Sequence, residues 1–355
     1  MGLYVNTFLS TDGKTSVSYK IWAPDGDAAV KGVLQISHGM CEYVGRYEDF
    51  ALYLVSLGWV VAGNDHLGHG DTAASDEDLG YFAEKDGYKL LVDDVHTLTG
   101  ILKEKYPDVP FVLMGHSMGS FIARLYLASY AEELDAAIIM GTGGTKNPTG
   151  LGMALASFIA MFNGDRYRSE LLKKIAFSGY LKKCGKNAHP ASWITKDEER
   201  LRKYADDPKC TYTFTVSGYH DLFDMISRVS TEEWAKMIPT DLPILLISGA
   251  DDPVGDYGKG VGQVAALLTG AGNSKLTVKL VAGDRHEVLN ETDRDEVYAY
   301  VSGWLDENVL ESFYGYGGYE YSAAESEDSD ENVNEDVNES ETESETESGN
   351  DERQV

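Results

Sequence analysis

Residues 115 to 119 read Gly115-His116-Ser117-Met118-Gly119, directly after the apolar run Phe111 to Met114 and just before a helical pattern from Phe121 to Tyr130. A serine in that setting sits on a strand-to-helix turn, and flanking glycines let strand and helix approach without side-chain collision. The chemistry such a serine could perform is nucleophilic attack on a carbonyl, provided a histidine takes its proton and an acid fixes the tautomer of that histidine. Of eight histidines, His286 alone follows the last strand pattern, in Gly283-Asp284-Arg285-His286-Glu287. The acid is expected after the preceding strand, where Ser248-Gly249-Ala250-Asp251-Asp252-Pro253 offers two carboxylates. Asp252 is favoured, because its place three residues after Gly249 and just before Pro253 lets a tight loop aim it back across the strand ends; Asp251 is the alternative. The oxyanion formed on the carbonyl needs N–H donors. The backbones of Met118, next to the serine, and Met40, in Ser37-His38-Gly39-Met40, are the candidates.

These groups must be carried by elements, and the elements alternate. After a hairpin at Thr7–Leu9 and Ser16–Trp22, short aliphatic runs predict strands at Val33–Ile36, Trp59–Gly63, Phe111–Met114, Ala136–Met140, Ile244–Ser248 and Leu276–Val281. Helical periodicity falls between them, at about Tyr47–Leu57, Tyr88–Lys105, Ser117–Tyr130, Val261–Leu268 and Asp293–Asn308. This is the pattern of an α/β fold with a mostly parallel sheet covered on both faces. The stretch from Met140 to Ile244 is too long for one crossover and holds further helical patterns. We expect a core of residues 1–144 and 239–310 interrupted by a helical cap, 145–238, over the carboxyl ends of the strands, where ligands bind in open α/β sheets. The Met- and Phe-rich segment Leu151–Phe162 is expected to pack within that cap, with its exposed edge toward an acyl chain.

Composition narrows the partners. The net charge of −29 argues against nucleic acid, whose phosphates require concentrated Lys and Arg. Much of that charge lies beyond Ser322, in a run of Glu, Asp, Ser, Thr and Asn too poor in apolar residues to fold; residues 311–355 read as a Tyr/Gly linker, centred on Tyr314–Tyr321, and a disordered acidic tail. Three widely spaced cysteines, Cys41, Cys184 and Cys210, suit a reduced, cytoplasmic setting. No secretory signal or membrane-spanning run is expected. His66 and His69 lack a third ligand at metal-binding spacing, so they are read as ordering their Gly-rich loop. Gly258-Lys259-Gly260-Val261-Gly262 lacks the spacing of a phosphate loop. Neither metal nor cofactor is expected.

Several stretches together resemble one family. His38-Gly39-Met40-Cys41-Glu42-Tyr43-Val44-Gly45-Arg46-Tyr47 is similar to the His-Gly-x-x-Glu-x-x-x-Arg-Tyr loop of the monoacylglycerol lipase and lysophospholipase group, serine hydrolases of the α/β-hydrolase superfamily that include serine aminopeptidase S33-type enzymes. Asp65-His66-Leu67-Gly68-His69-Gly70 resembles the group's Asp-x-x-Gly-His-Gly segment, and Gly115–Gly119 its nucleophile turn. The resemblance covers about residues 7 to 309 and implies an α/β-hydrolase fold with Ser117, Asp252 and His286 catalytic and His38, Gly39, Gly115, His116 and Gly119 in support. It also implies a lipid-like monoester as substrate, a monoacylglycerol or a lysophospholipid, with transient membrane-surface contact through the cap. A proline-iminopeptidase-like aminopeptidase and a non-catalytic binding protein are the rival readings. Cys41 departs from the small residue usual in the loop and would narrow the site or make it thiol-sensitive.

Overall fold

The computed structural model describes residues 1–26, 29–144 and 149–315; the acidic tail and most of the Tyr-Gly patch lie outside the described residues. β1 (Gly2–Leu9) and β2 (Ser16–Ala23) form a hairpin, followed by β3 (Gly32–Ser37), α1 (Glu48–Ser56), β4 (Trp59–Asn64), α2 (Gly87–Lys105), β5 (Phe111–His116), α3 (Met118–Tyr130) and β6 (Ala136–Met140). Among the described residues five helices then intervene: α4 (Thr149–Asn163), α5 (Glu170–Ala176), α6 (Glu198–Asp206), α7 (Val216–Val229) and α8 (Glu232–Lys236). The described residues end with β7 (Ile244–Gly249), α9 (Lys259–Gly270), β8 (Leu276–Val281), α10 (Arg294–Leu305) and α11 (Glu311–Tyr314).

The eight strands make one sheet in the order β1-β2-β4-β3-β5-β6-β7-β8. The hairpin and its junction with β4 are antiparallel, and every later pairing is parallel. β3 to β7 are buried along their whole length, as continuous apolar runs in a parallel sheet require. Successive residues point to opposite faces. Val33, Val60, Leu113, Ile139 and Leu246 therefore pack with α2, α3 and α9, whereas Leu34, Val61, Met114, Ile138 and Ile247 pack with α1 and α10.

Two ends depart from the sequence reading. β1 begins at Gly2, five residues before the expected Thr7, because its eight-residue pairing with β2 holds it although most of its side chains are exposed; pairing without burial leaves no hydrophobic pattern to read. At the other end the helix continues beyond Asn308 through a π turn, Asp306–Leu310, into α11, and the Tyr314 hydroxyl donates to the Lys31 carbonyl (3.2 Å).

Parallel register brings the carboxyl ends of the strands level. Ser37 lies beside Gly115, His116 beside Met140, Met140 beside Ile247, and Gly249 beside Val281. The segments that leave those ends carry Met40, Ser117, Asp252 and His286. Sequence distance is thus converted into proximity by the sheet alone.

Candidate active site

Ser117 occupies the turn between β5 and α3 with φ 54° and ψ −120°, a left-handed φ that L residues adopt at a cost of about 1–3 kcal/mol. The turn is held by the Ser117 N–H donating to the Met140 carbonyl (3.0 Å) and by the flanking glycines. A Cβ on Gly119 would lie 2.0 Å from the Ser37 carbonyl oxygen, and one on Gly115 would lie 2.3 Å from the Gly119 carbonyl oxygen. Both obstacles are backbone, so no side chain fits at either position.

The loops after β7 and β8 meet because their ladder continues past the strands: Ala250 N–H donates to Val281 O (2.8 Å) and Asp251 N–H to Asp284 O (2.8 Å). Gly249 permits this, since a Cβ there would lie 2.1 Å from the Arg285 carbonyl oxygen. The result sets Asp252 against His286, with Oδ2 3.0 Å from Nδ1. The same carboxylate accepts from the Ser248 hydroxyl (3.0 Å) and from the Val254 N–H (2.8 Å). Burial would raise the Asp252 carboxyl, but His286 and these two donors outweigh it and hold it below its ordinary value. His286 Nε2, the nitrogen that would face a substrate, is buried and without a hydrogen-bond partner among the described residues. Asp251 instead points outward to Lys183 (3.4 Å) and Lys196 (3.6 Å).

On the other side of Ser117 runs the loop after β3. A Cβ on Gly39 would come within 2.8 Å of the Ser117 Cβ, so glycine lets this loop lie directly against the serine and brings Met40 to the same cavity as Met118. Met118 is the first residue of α3, where a backbone N–H has no partner within its helix. His38 Nε2 accepts from the His66 N–H (2.9 Å), which leaves Nδ1 to donate to the Gly39 carbonyl (2.8 Å). His66 in turn bonds Ser37 Oγ (2.9 Å), and His69 bonds the Leu67 carbonyl (3.0 Å). Burial drives the pKa of His38, His66 and His69 down. All three act as neutral hydrogen-bonding struts.

Beneath the loop lies a charged network whose partners the sequence did not disclose. Glu42 accepts from the Gly39 N–H, Tyr47 Oη (3.0 Å), His116 Nδ1 (3.0 Å) and Arg46 (3.0 Å), while Arg46 grips Glu287 through two bonds of 2.7 and 2.8 Å. Burial opposes each charge. The partners outweigh it, lowering Glu42 strongly and raising His116 and Arg46. The network joins the Gly39 loop, the Ser117 turn and the His286 loop into one block. Cys41, in the same loop, lines the cavity as a buried residue with φ 54° whose thiol donates to the Tyr212 carbonyl (3.5 Å); desolvation pushes that thiol up to about 12, so it narrows the cavity without the thiolate that thiol reagents attack.

Ser117, Met118, Met40 and His286 all line a cavity of about 660 Å³. Phe121, Leu222, Phe223 and Ile226 form one apolar wall, and residues 174–180 with Trp193 form another. The Trp193 ring lies 5.0 Å from the His286 ring, centroid to centroid. The segment around it is tied to the histidine loop by Glu287 N–H to Ile194 O (2.8 Å) and by Glu291, which accepts from Thr195, Lys196 and Arg285 (2.9–3.1 Å). Within Leu151–Phe162, the residue that lines this cavity is Gly152. α4 turns Gly152 and Ala156 inward, Gly152 against the Phe223 ring, while Leu151, Phe158, Met161 and Phe162 are exposed. Met153, Leu155 and Ile159 are half-buried and pack against the core beside Gly152 and Ala156.

Residues 28–293 match the model of a family described as serine aminopeptidase, S33. The chain is 26% identical over 296 residues to the monoacylglycerol lipase of Mycolicibacterium smegmatis, covering 82% of this chain and 94% of that protein. It is 23% identical over 291 residues to phospholipase YtpA of Bacillus subtilis, covering 81% and 100%. Among solved structures, a thermostable carboxyl esterase from Bacillus coagulans in complex with glycerol superposes with a TM-score of 0.81 at 30% identity, over 87% of this chain and 99% of that one. The strand order, the serine turn and the match over three quarters of the chain agree: the protein has the α/β-hydrolase fold and belongs to the serine aminopeptidase S33 family of serine hydrolases.

Proposed function

We propose that this serine hydrolase cleaves a lipid-like monoester through an acyl-enzyme. The observation that carries the reading is the strained Ser117 turn opening, with the Asp252-supported His286, into a large and chiefly apolar cavity. Ser117 Oγ attacks the ester carbonyl as His286 Nε2 takes its proton; Asp252 fixes the tautomer through Nδ1 and stabilises the imidazolium. The Met40 and Met118 N–H groups receive the oxyanion. His286 then protonates the departing alcohol and activates the water that releases the acid.

An aminopeptidase would use the same three residues but needs an unpaired carboxylate in the cavity for the substrate's amine. The lining carboxylates are Glu42 and Glu287, both bound to Arg46, and Asp256, 3.9 Å from Lys259. This favours the ester. The rival reading of a non-catalytic binding protein predicts no reaction with a fluorophosphonate probe.

In this reading residues 145–238 are the cap over a core of 1–144 and 239–310, and α4 supplies a membrane-surface contact through Leu151, Met161 and Phe162, which are 76, 76 and 71% exposed. Among the described residues no helix is long and apolar enough to cross a membrane. We assign the protein to the cytoplasm, in keeping with its three free cysteines.

The test is a steady-state comparison of p-nitrophenyl acetate, butyrate and decanoate, a monoacylglycerol and proline-p-nitroanilide, with Ser117→Ala as the blank. Serine-dependent ester cleavage that rises with chain length and extends to the glycerol ester is expected, with Ser117→Ala slower by about 10⁴-fold or more. Cleavage of the anilide alone would replace the ester reading by the peptidase one.

A further inference from the structure

The mouth of the catalytic cavity carries cations although the chain as a whole is strongly acidic. The protein carries −29, yet residues 170–186 hold Lys173, Lys174, Lys182, Lys183 and Lys186 against Glu170 alone. Within this stretch, residues 174–180 and 182 line the cavity as one continuous wall that begins at Lys174 and ends at Lys182. Both lysines are exposed, at the mouth. Gly179, at φ 87°, turns the wall back on itself, and a Cβ there would meet the Lys182 Nζ at 3.3 Å, which marks how closely that side chain folds over the turn.

The neighbouring lysines are engaged: Lys173 bonds Thr213 (3.1 Å), and Lys183 bonds Asp251 (3.4 Å) and lies over the Tyr257 ring. Lys174 and Lys182 make no ion pair or hydrogen bond among the described residues, whereas the lining carboxylates are each beside a cation. The unmatched charge facing the cavity mouth is therefore positive. A quaternary ammonium head group is disfavoured twice. The cations repel it, and the rings of Phe177, Tyr180 and Trp193 touch one another at 4.9–5.8 Å between centroids, leaving no gap in which a cation could be caged.

We propose that Lys174 and Lys182 receive the phosphate of an anionic lysophospholipid, whose acyl ester is presented to Ser117 while its head group stays at the mouth. This rests on the lipid-monoester reading and narrows it. An ammonium bound to phosphate is a charge-assisted hydrogen-bond donor, and at an exposed mouth its contribution is screened by salt.

The experiment compares kcat/KM for octanoyl-lysophosphatidylglycerol, octanoyl-lysophosphatidylcholine and monooctanoylglycerol, all below their micellar concentrations so that single molecules rather than interfaces are met. Wild type is set beside the double variant Lys174→Gln/Lys182→Gln. The expected result is a preference for the phosphatidylglycerol ester over the neutral glycerol ester that falls about tenfold in the double variant, chiefly through KM, and falls in wild type as salt is raised. An anionic-to-neutral ratio unchanged by both the variant and salt overturns the proposal while leaving ester hydrolysis intact. Competition by inorganic phosphate at millimolar concentration would make this a site for the free anion and overturn the head-group assignment. If wild type cleaves p-nitrophenyl butyrate but none of the three lipids, the underlying reading fails with it.

Discussion

The floor and the roof of the cavity are built on different physics. The floor consists of strand ends and the loops that leave them, and there side chains are displaced by backbone: Gly39, Gly115, Gly119 and Gly249 each sit where a Cβ would strike a neighbour at 2.0 to 2.8 Å. Its charges are buried and reciprocally bonded, from Glu42 through His116 and Arg46 to Glu287. The roof, from α4 to α6, buries little. α4 conceals Gly152 and Ala156, α5 conceals Leu172, and α6 conceals no residue, whereas α3 in the floor buries residues along most of its length. A floor of this kind fixes reacting atoms to a fraction of an ångström, as acyl transfer demands. A roof with few fully buried residues is the part that local opening can move at low cost and in which substrate preference can be altered without disturbing the chemistry.

The sharpest way to break the comparison is to change one floor residue without changing its shape. Asp252→Asn keeps the volume but removes the charge that holds the His286 tautomer, and turnover is expected to fall by about 10³ to 10⁴. Asp251→Asn, at the surface between Lys183 and Lys196, should change turnover less than about twofold. Steady-state rates on p-nitrophenyl butyrate decide it. Equal losses in the two variants would mean that the loop, not the Asp252 carboxylate, sets the histidine.

A second, smaller effect tests whether the floor is one block. Glu42→Gln removes the charge that His116 and Arg46 share, and leaving a buried partner uncompensated costs about 3 kcal/mol. The sign with pH follows from the shifts. Glu42 is held below its ordinary value of 4.5, so its contribution is present above that pH and is lost as pH falls below it. His116 is raised above 6.5, so its share is full below that value and is lost as pH climbs through the raised pKa. Urea unfolding should therefore show the largest gap between wild type and variant at about pH 5 to 6.5, closing toward pH 3. A gap that does not vary with pH would mean that packing around Glu42, rather than its charge, holds the floor.

What the sequence revealed divides along the same line. Continuous aliphatic runs identified every inner strand, because a strand buried on both faces has no polar residue to interrupt it. The positions of Ser117, Asp252 and His286, the reacting groups we propose, could be read because each leaves the end of a particular strand. The partnership of Arg46 with Glu287 was not: the two are 241 residues apart, and nothing in the spacing of a charged residue distinguishes a buried pair from a solvated one. Arg124 shows the same blindness. It is fully buried, bonded to the Thr142 hydroxyl and the Gly143 carbonyl (both 3.2 Å), without a carboxylate partner among the described residues, yet on α3 it reads as any exposed helical arginine. In the roof, α4 was legible only in part. Its apolar residues read as one packed segment, whereas Gly152 and Ala156 are buried, Met153, Leu155 and Ile159 half-buried against the core, and Leu151, Phe158, Met161 and Phe162 exposed, a division that composition alone does not give.

The smallest effect on stability, and the one that separates roof from floor most cleanly, belongs to α4. Replacing Leu151, Met161 and Phe162 together by serine removes side chains that already stand in water, so the free energy of unfolding should change by no more than about 0.5 kcal/mol. Hydrolysis of p-nitrophenyl butyrate in solution should be near that of wild type. Hydrolysis of 1-oleoylglycerol carried in phospholipid vesicles should fall several-fold, because each large apolar side chain that enters the lipid contributes roughly 1 kcal/mol even when only partly buried. Vesicle co-sedimentation measured beside the rates identifies the cause. Lost binding with unchanged soluble activity assigns α4 to the lipid surface, whereas equal losses on both substrates would make the exposed face of α4 part of the cavity's own support and would erase the distinction between a rigid floor and an adaptable roof.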